Sequence, residues 1–275
     1  MSIPTFGEEE RHALRGGFGA DAEAYQRTRP VLPAALFDDL VRLAGLAPGD
    51  RVAEIGPGTG QASVPLAERG LAVTAVEIDP SLAALAARRL AAFPAATVVT
   101  SPFEAWEPAG APFDAVAAFN ALHWVDPEIR YAKPARLLRA GGAFAVGGCL
   151  WSLPADADPF WADVQQDYSA VGYSGEPPPP PEAIPAWHLP AQAAEFFDET
   201  ASLRYPPVRL TYSPADYLAQ LASQSSTRAL GAAKSAEFLS RVRDRLRAHG
   251  SPDLTATFVP LLVVGRLRLA VAQCR

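Results

Sequence analysis

Short apolar segments alternate with helical segments along the first half of the sequence, and this alternation constrains the possible folds more than any other feature. The predicted strands are nearly continuous apolar runs over Arg51–Ile55, Leu71–Ile78, Ala96–Thr100, Phe113–Ala118 and Ala143–Gly148. The predicted helices cover Leu32–Leu46, Gln61–Arg69, Asp79–Leu90 and Pro127–Arg139. A strand that is apolar on both faces must be covered on both faces, as in parallel sheets flanked by helices. The sequence therefore predicts an α/β fold with a doubly wound, mostly parallel sheet.

The pattern changes after Leu150. Residues Trp151–Tyr205 lack a regular period, are rich in aromatic residues and contain the proline run of Glu176–Pro185. Long stretches without a period are usually lids or disordered inserts, and so many aromatic side chains do not suit a solvated linker. We expect a helical or irregular cap over the carboxyl ends of the strands.

Regular patterns return in the last part of the chain. The predicted elements are a strand at Val208–Tyr212, helices over Pro214–Leu221 and Ser235–His249, and a strand region at Leu254–Val264. We therefore expect three parts: a ligand-binding core with entry helices over residues 1–150, the cap over 151–205, and a completion of the core sheet over 206–275.

Composition and charge exclude several classes of protein. The formal net charge is −6, so the chain lacks the basic surface that nucleic-acid binding requires. Cys149 and Cys274 make neither a disulfide framework nor a metal site, which favours a reducing cytoplasm. The acidic N-terminal segment has no signal-peptide core, and no segment is apolar for long enough to span a membrane. We expect a cytoplasmic protein that binds a small molecule, with no metal, nucleic acid or membrane as partner.

A glycine-rich stretch, VAEIGPGTGQAS, follows the first predicted strand and places Gly56, Gly58 and Gly60 within five positions. Glycines at such a turn let the backbone approach a ligand closely, because no Cβ intervenes. A P-loop requires a lysine that is absent here, and neither register of the dinucleotide fingerprint G-x-G-x-x-G/A fits. The remaining pattern is E-x-G-x-G-x-G, led by Glu54 in the strand.

This pattern resembles the first motif of class I S-adenosylmethionine-dependent methyltransferases. The acid of AVEIDP, Glu77, stands where that family binds the cofactor ribose, and Phe113–Val146 is similar to its fourth and fifth strands with the helix between them. The segment AYQRTRPVLP, Ala24–Pro33, and the tail Arg204–Leu267 are similar to the trans-aconitate-methyltransferase-like branch. The resemblance implies a Rossmann-like methyltransferase fold with a seven-stranded sheet and S-adenosyl-L-methionine as cofactor.

The resemblance also implies which residues bind the cofactor. They are Glu54, Gly56, Gly58, Gly60, Glu77, Ile78, Phe103 and Asn120. A carboxylate at Glu77 would accept charge-assisted hydrogen bonds from both ribose hydroxyls, and Asn120 would line the methyl-donor channel. Glu54 has two possible partners, a backbone amide or the methionine ammonium. Asp79 suits a helix N-cap better than a ligand contact.

One position departs from the family pattern, on the side expected to bind adenine. Pro102 stands where the family usually has an acid at the end of the third strand. Proline has no backbone N–H, so the backbone of Ser101, Phe103 or Glu104 would have to serve the adenine edge.

The candidate catalytic and substrate-binding residues each have a structural alternative. His123 is a candidate general base, but its apolar neighbours equally suit a core histidine. Tyr25 is a second catalytic candidate that either closes over the ligands or packs in the core. Arg29, with Trp124 and Trp151, is a candidate substrate contact, although a surface ion pair explains an arginine as readily.

These features lead to a functional hypothesis with two alternatives. The hypothesis is methyl transfer to a small or medium organic molecule, with a carboxylate or hydroxyl oxygen as acceptor. Alternatively, the protein binds S-adenosylmethionine without transferring its methyl group, as a sensor or a non-methylating enzyme. A nicotinamide-dependent oxidoreductase is a further alternative, which the glycine register argues against.

Overall fold

The computed structural model describes residues 22–174 and 176–268. Its strands are β1 (Arg51–Ile55), β2 (Ala72–Glu77), β3 (Thr97–Thr100), β4 (Phe113–Phe119), β5 (Leu138–Ser152), β6 (Phe197–Arg204), β7 (Val208–Tyr212) and β8 (Leu254–Leu267). Within the described residues they form one sheet in the order β3-β2-β1-β4-β5-β8-β6, with β7 also paired to β8. Neighbours from β3 to β5 are parallel, and β8 is antiparallel to its partners. The predicted α/β class and mostly parallel sheet are confirmed.

The sheet is seven strands wide although eight strands contribute to it in the described part of the chain. The long strand β8 pairs with β5 on one side. On its other side, β6 pairs with its C-terminal half and β7 with its N-terminal half. Pro206 and Pro207 separate β6 from β7, because a proline cannot donate a ladder hydrogen bond. The seventh position of the sheet is thus shared by two strands placed end to end.

The α-helices of the described residues lie on both faces of the parallel part of the sheet and beyond the ends of its strands. They are α1 (Ala22–Thr28), α2 (Ala34–Ala44), α3 (Ser63–Glu68), α4 (Pro80–Leu90), α5 (Ala132–Leu137), α6 (Phe160–Asp163), α7 (Gln165–Ala170), α8 (Pro214–Ala222), α9 (Ser225–Ala229) and α10 (Ala232–His249). Successive strand residues enter opposite core clusters, Val52 on the side of Phe37 and Ala53 on the side of Phe144. The carboxylate of Asp79 caps α4 by accepting from the amides of Ser81 and Leu82, which confirms its predicted role.

Two expectations about secondary structure were wrong. The helix predicted over Pro127–Arg139 is an α-helix only over Ala132–Leu137, and β5 starts at the next residue. Pro134 has no N–H to bond to the carbonyl of Arg130, so the turn before it does not continue as a regular helix. The stretch expected to be irregular, Trp151–Tyr205, includes the end of β5, the helices α6 and α7, and all of β6.

A third hydrophobic cluster joins the predicted cap to the C-terminal helices. The buried rings of Phe160 and Trp161, from α6, pack with Tyr217 of α8 and with Phe238 and Val242 of α10. The ring of Trp161 meets that of Tyr217 edge to face, with 5.1 Å between ring centroids. The residues that cover the strand ends therefore come from both sides of β6 in the sequence, and the cap is built by α6 and α7 together with α8, α9 and α10.

Some expectations concern residues that the structure does not describe. The N-terminal acidic segment and Cys274 lie outside residues 22–174 and 176–268. Among the described residues, no helix has the length and apolar character needed to cross a membrane.

The stacked pair of Phe144 and Phe197 gives a test of how β6 is fixed. Their ring centroids are 4.8 Å apart with 18° between the ring planes, and Phe197 is 1% exposed. We expect Phe197→Ala to lower the free energy of unfolding by about 3–5 kcal/mol, as for other buried rings, measured by chemical denaturation. The adjacent Phe196, which is only partly buried, is the control, and Phe196→Ala should cost clearly less. Equal losses would contradict the position of β6.

Candidate active site

A cavity of about 450 Å³ lies at the carboxyl ends of β1, β2 and β4. The order of the strands reverses between β1 and β4, and this is where open α/β sheets bind their ligands. Every predicted site residue except Gly60 lines the cavity: Tyr25, Arg29, Glu54, Gly56, Gly58, Glu77, Ile78, Phe103, Asn120, His123, Trp124 and Trp151. Residues from distant parts of the sequence thus meet at one place.

The glycine loop connects β1 to α3 with a backbone that only glycine adopts easily. Gly56, Gly58 and Gly60 have φ values of +61°, +58° and +79°, in the left-handed region that other residues avoid. A Cβ on Gly56 would lie 2.7 Å from the Cβ of Ala121, so the loop approaches the end of β4 closely. A Cβ on Gly58 would enter the cavity, 3.6 Å from the ring of Tyr25.

Gly60 has a different position from the other two glycines. It is absent from the cavity lining, and a Cβ there would lie 3.4 Å from the Cβ of Ala86 on α4. The structure therefore places Gly60 where the loop packs against α4, and gives it no cavity contact of the kind the sequence suggested.

Glu77 connects the glycine loop to the end of β2. One carboxylate oxygen accepts from the amide of Gly58 and the other from the amide of Asp79, each at 2.9 Å. Glu77 is 5% exposed, and burial raises its pKa while these backbone hydrogen bonds lower it. The backbone thus fixes both oxygens at the cavity wall, where their remaining lone pairs can accept from a ligand.

Glu54 is a second buried carboxylic acid at the same wall, 1% exposed. The hydroxyl of Ser63, the first residue of α3, donates to its carboxylate. Burial raises the pKa of Glu54 to about 7, and the nearby charge of Glu77 raises it further, against the Ser63 hydrogen bond. The structure pairs Glu54 with a hydroxyl, where the sequence suggested a backbone amide or a ligand ammonium.

The segment after β3 forms the side of the cavity expected to meet adenine. Ser101, Pro102, Phe103 and Glu104 all line it. The amide of Ser101 donates to the carbonyl of Glu77 at 2.9 Å, so it is used within the sheet. Of the three backbone groups considered for the adenine edge, the amide of Ser101 is therefore already engaged, and the carbonyl of Glu104 accepts from Lys133 at 3.0 Å.

Asn120 follows β4 and adopts a strained backbone conformation with a φ of +52°, which is uncommon for a residue other than glycine. Its amide donates to the carbonyl of Gly147 at 2.9 Å. Its side-chain oxygen accepts from the amide of Cys149 at 3.1 Å. Asn120 is thereby tied to β5 while its side chain lines the cavity, and strain held in this way clusters at functional sites.

His123 lies in a single 3-10 turn, Leu122–Trp124, beyond β4. Arg130 donates to the backbone carbonyl of His123 at 3.1 Å. Burial lowers the pKa of His123 to about 4, and the charge of Arg130 lowers it as well. The imidazole is therefore neutral near pH 7 and only weakly basic.

The opposite wall of the cavity carries Tyr25 and Arg29 around the end of α1. The guanidinium of Arg29 lies 4.5 Å from the centroid of the Tyr25 ring and donates to the hydroxyl of Ser223 at 3.0 Å. These contacts take the place of the surface ion pair that was the alternative to a substrate contact, since no carboxylate among the described residues pairs with Arg29.

One wall of the cavity was missed by the sequence analysis, and four of its residues are polar or aromatic. They are Gln220, Gln224, Ser226 and Phe258. The first three lie on α8 and α9 or between them, and the fourth on β8. No motif marks them. Phe258 reaches this wall because it pairs with Trp151 across β5 and β8. Predicting that pairing requires knowledge of the register between two strands that are distant in the sequence.

The described part of the chain has no group of three or more His, Cys, Asp or Glu side chains arranged to hold a metal ion. The groups of the cavity wall that can act on a ligand include two buried carboxylic acids, a glycine loop, a neutral imidazole and an arginine.

Comparison with known proteins links this arrangement to a family. The family model described as a methyltransferase domain matches residues 52–142, which include the glycine loop, Glu77, Asn120 and His123. An uncharacterized methyltransferase of Mycobacterium tuberculosis is 34% identical over 167 residues, 61% of this chain and 63% of the relative. The match therefore spans less than two thirds of that relative's length.

Two further comparisons agree with this result. A demethylmenaquinone methyltransferase of Beutenbergia cavernae is 31% identical over 147 residues, 50% of this chain and 59% of the relative. The solved structure of a putative type II methyltransferase from Anaeromyxobacter dehalogenans is 26% identical, with a TM-score of 0.56 over 86% of this chain and 97% of that chain. The fold is thus shared along most of the sequence.

The raised pKa of Glu54 gives a test of its burial. The unfolded value of 4.5 lies below the folded value of about 7. The stabilisation from the protonated carboxyl is therefore complete below pH 4.5 and lost as pH rises through 7. The Glu54→Gln variant has no carboxyl group to titrate, so its free energy of unfolding should not fall in this way. Relative to wild type, we expect its free energy of unfolding to rise by up to about 3 kcal/mol between pH 5 and pH 8. Urea denaturation at the two pH values measures this.

The control for this experiment is Glu68→Gln, on the exposed end of α3. Its stability should follow the wild-type pH dependence. If Glu54→Gln also followed the wild type, the burial of Glu54 as a protonated acid would be wrong.

Proposed function

We propose that the chain is a class I S-adenosylmethionine-dependent methyltransferase, and that it transfers the methyl group of S-adenosylmethionine to an oxygen of a small or medium organic molecule. The observation that carries this proposal is the fixed pair of Gly58 and Glu77, joined by a hydrogen bond of 2.9 Å at the cavity wall. A glycine backbone, which has no side chain, leaves room for a compact polar chain of a ligand. The buried acid beside it can accept hydrogen bonds from the hydroxyls of a ribose.

The residues of the cavity fit the cofactor in chemistry as well as in shape. Glu77 would accept from the ribose hydroxyls, and the loop at Gly56 and Gly58 would lie against the methionine end. The buried acid of Glu54 favours a cationic group nearby, because a positive charge would offset the desolvation that raises its pKa. Phe103 and Glu104 would serve the adenine side, and Asn120 the methyl-donor channel.

When bound, the cofactor would supply an electrophilic methyl group, which would pass from its sulfonium sulfur to an acceptor oxygen and leave S-adenosylhomocysteine. The contribution of the chain is to align the acceptor with the methyl group and to exclude water. The cap and the glycine loop face each other across the cavity, which is the arrangement this requires.

The properties of His123 favour an acceptor that is already anionic. A hydroxyl acceptor must lose a proton, and a base is most effective when its pKa is near the working pH. The pKa of His123 is about 4 because of burial, so it is a poor base at neutral pH. A carboxylate acceptor loses no proton on methylation. We propose that His123 contacts the acceptor as a neutral imidazole, and that Tyr25 closes over the bound ligands.

The acceptor side of the proposal uses Arg29, Trp124 and Trp151. Aromatic side chains and one cation around a concave site suit a small molecule with an apolar body and an anionic group. The net charge of −6 argues against a nucleic acid. We propose a cytoplasmic enzyme that acts on a small molecule, and membership of the trans-aconitate-methyltransferase-like branch stays a prediction.

The first experiment is calorimetric titration of the protein with S-adenosylmethionine, S-adenosylhomocysteine and NAD. We expect micromolar binding of the first two and none of NAD. Gly58→Val should abolish binding, because the side chain would enter the cavity beside Tyr25. Glu77→Ala should weaken it by about tenfold or more, since charge-assisted hydrogen bonds are lost.

Two matched variants serve as controls. Gly49 has a φ of +93° with open space around its Cβ position, so Gly49→Val has similar backbone strain without reaching the cavity. Glu68→Ala removes an exposed acid from α3. Both should bind like wild type. Binding of NAD alone, or normal binding by both site variants, would overturn the assignment. Cofactor binding without formation of S-adenosylhomocysteine in the presence of carboxylic acids and phenols would favour a binding protein.

The protonation of His123 predicts the pH dependence of turnover. At saturating cofactor and with any acceptor that yields S-adenosylhomocysteine, kcat should have no inflection near pH 6.5 from this residue, because its pKa is about 4. His123→Gln should keep the shape of the profile. An inflection between pH 6 and pH 7 that disappears in His123→Gln would establish His123 as a general base with an ordinary pKa.

A further inference from the structure

A second, smaller cavity continues the main one toward the cap. Its volume is about 50 Å³, room for one small substituent but not for a ring. We call it the annex; it is lined by Trp151, Trp161, Tyr168, Tyr212, Tyr217, Gln220, Gln224, Ala256 and Phe258. Trp151, Gln220, Gln224 and Phe258 also line the main cavity, so they form the junction between the two spaces.

Two aromatic side chains dominate this junction. Trp151 and Phe258 are direct partners on the antiparallel strands β5 and β8, and direct partners project to the same face of a sheet. The ring of Trp161 packs edge to face against that of Trp151, with 5.7 Å between the ring centroids. Two aromatic side chains on the same face of the sheet favour an apolar, ring-containing molecule.

Gln220 supplies an unpartnered polar group at the same junction. It is 7% exposed, and its side-chain oxygen is buried without a hydrogen-bond partner among the described residues. A buried acceptor left unpaired destabilises a protein. A ligand that donates a hydrogen bond to this amide would remove that cost, and a hydroxyl substituent reaching the annex is the group of suitable size.

Arg29 provides a positive charge next to the junction. Among the described residues its buried Nε has no hydrogen-bond partner, and the guanidinium contacts the ring of Tyr25 and the hydroxyl and carbonyl of Ser223. The preceding residue, Thr28, ties this part of the chain to the annex. Its carbonyl accepts from the hydroxyl of Tyr212, which lines the annex, at 2.9 Å. A partly buried guanidinium without a counter-ion favours an anionic ligand, and a carboxylate matches its geometry.

We infer that the acceptor is a hydroxyl-bearing aromatic carboxylic acid, whose ring lies against Trp151 and Phe258 and whose hydroxyl donates to Gln220. One oxygen of its carboxylate pairs with Arg29, and the other forms the bond to the methyl group as S-adenosylhomocysteine leaves. This inference rests on the proposed methyl transfer and names the class of its acceptor. It makes Gln220 a specificity-determining residue that lowers stability in the free protein and contributes to recognition.

The test uses para-hydroxybenzoate, benzoate and phenol as probes, titrated calorimetrically into the protein saturated with S-adenosylhomocysteine. Wild type should bind para-hydroxybenzoate about tenfold more tightly than benzoate or phenol, since each of these lacks one anchoring group. Gln220→Leu should remove the preference over benzoate and leave benzoate binding unchanged. Arg29→Gln should remove the preference over phenol. No preference in wild type would overturn the inference.

Stability gives a second readout that a purely structural role of Gln220 would not produce. Because the substitution removes an unpaired buried oxygen, Gln220→Leu should raise Tm by about 2 °C or more while the preference for the hydroxyl is lost. Gln220→Met, closer in shape, should behave in the same way. A lower Tm in both variants would show that the amide is paired within the fold, and would contradict the inference.

Controls separate this inference from the proposed function. Gln192→Leu, at an exposed position, and Arg27→Gln, which removes an arginine that is ion-paired with Asp216, should leave every preference unchanged. If wild type failed to bind S-adenosylhomocysteine, the proposed function would fail. If it bound S-adenosylhomocysteine but no aromatic acid, only the acceptor class would be wrong. If Arg29→Gln weakened S-adenosylhomocysteine and not the carboxylate probes, Arg29 would bind the cofactor carboxylate instead.

Discussion

The hydrogen bonds of the Glu77 carboxylate hold the two halves of the ligand-binding edge together. One oxygen binds the glycine loop at Gly58 and the other binds Asp79, which in turn caps α4. The end of β2, the loop after β1 and the start of α4 are thus fixed by a single side chain. Because that side chain is a buried carboxyl group, its energy depends on these amides remaining in place. The shape of the cavity depends on the same contacts.

The cavity also has an uneven distribution of charge. Glu54 and Glu77 lie on the side of β1 and β2, whereas Arg29 lies on the side of α1 and α8. Two acids close together raise each other's pKa, as Glu77 does for Glu54. A cationic ligand suits the first side and an anionic ligand the second. Under the proposed function, electrostatic attraction would therefore direct the cationic cofactor to the side of Glu54 and Glu77. It would direct an anionic acceptor to the side of Arg29.

The parts of the molecule that the sequence predicted are those set by local pattern. The strands β1 to β4, the Asp79 cap and the glycine loop each follow from neighbouring residues, and they place Glu77 and Asn120 at one edge. The wall of Gln220 and Phe258 could not be predicted, because it depends on how β8 pairs with β5 and on the packing of α8. Gly60 shows a related limit, since a glycine pattern does not reveal which neighbour each glycine faces.

The long strand β8 passes from the core sheet into the cap, and this has an evolutionary consequence. The segment matched by the methyltransferase-domain model, residues 52–142, contains the glycine loop, Glu77 and Asn120, whereas Phe258, Gln220 and Gln224 lie outside it. Under the proposed function, substitutions in the outer segments would change the wall of Gln220 and Phe258 while the glycine loop and Glu77 stay the same. Paralogues would then differ in their acceptor through substitutions in α8, α9 and the first half of β8. The segment matched by the family model would stay unchanged.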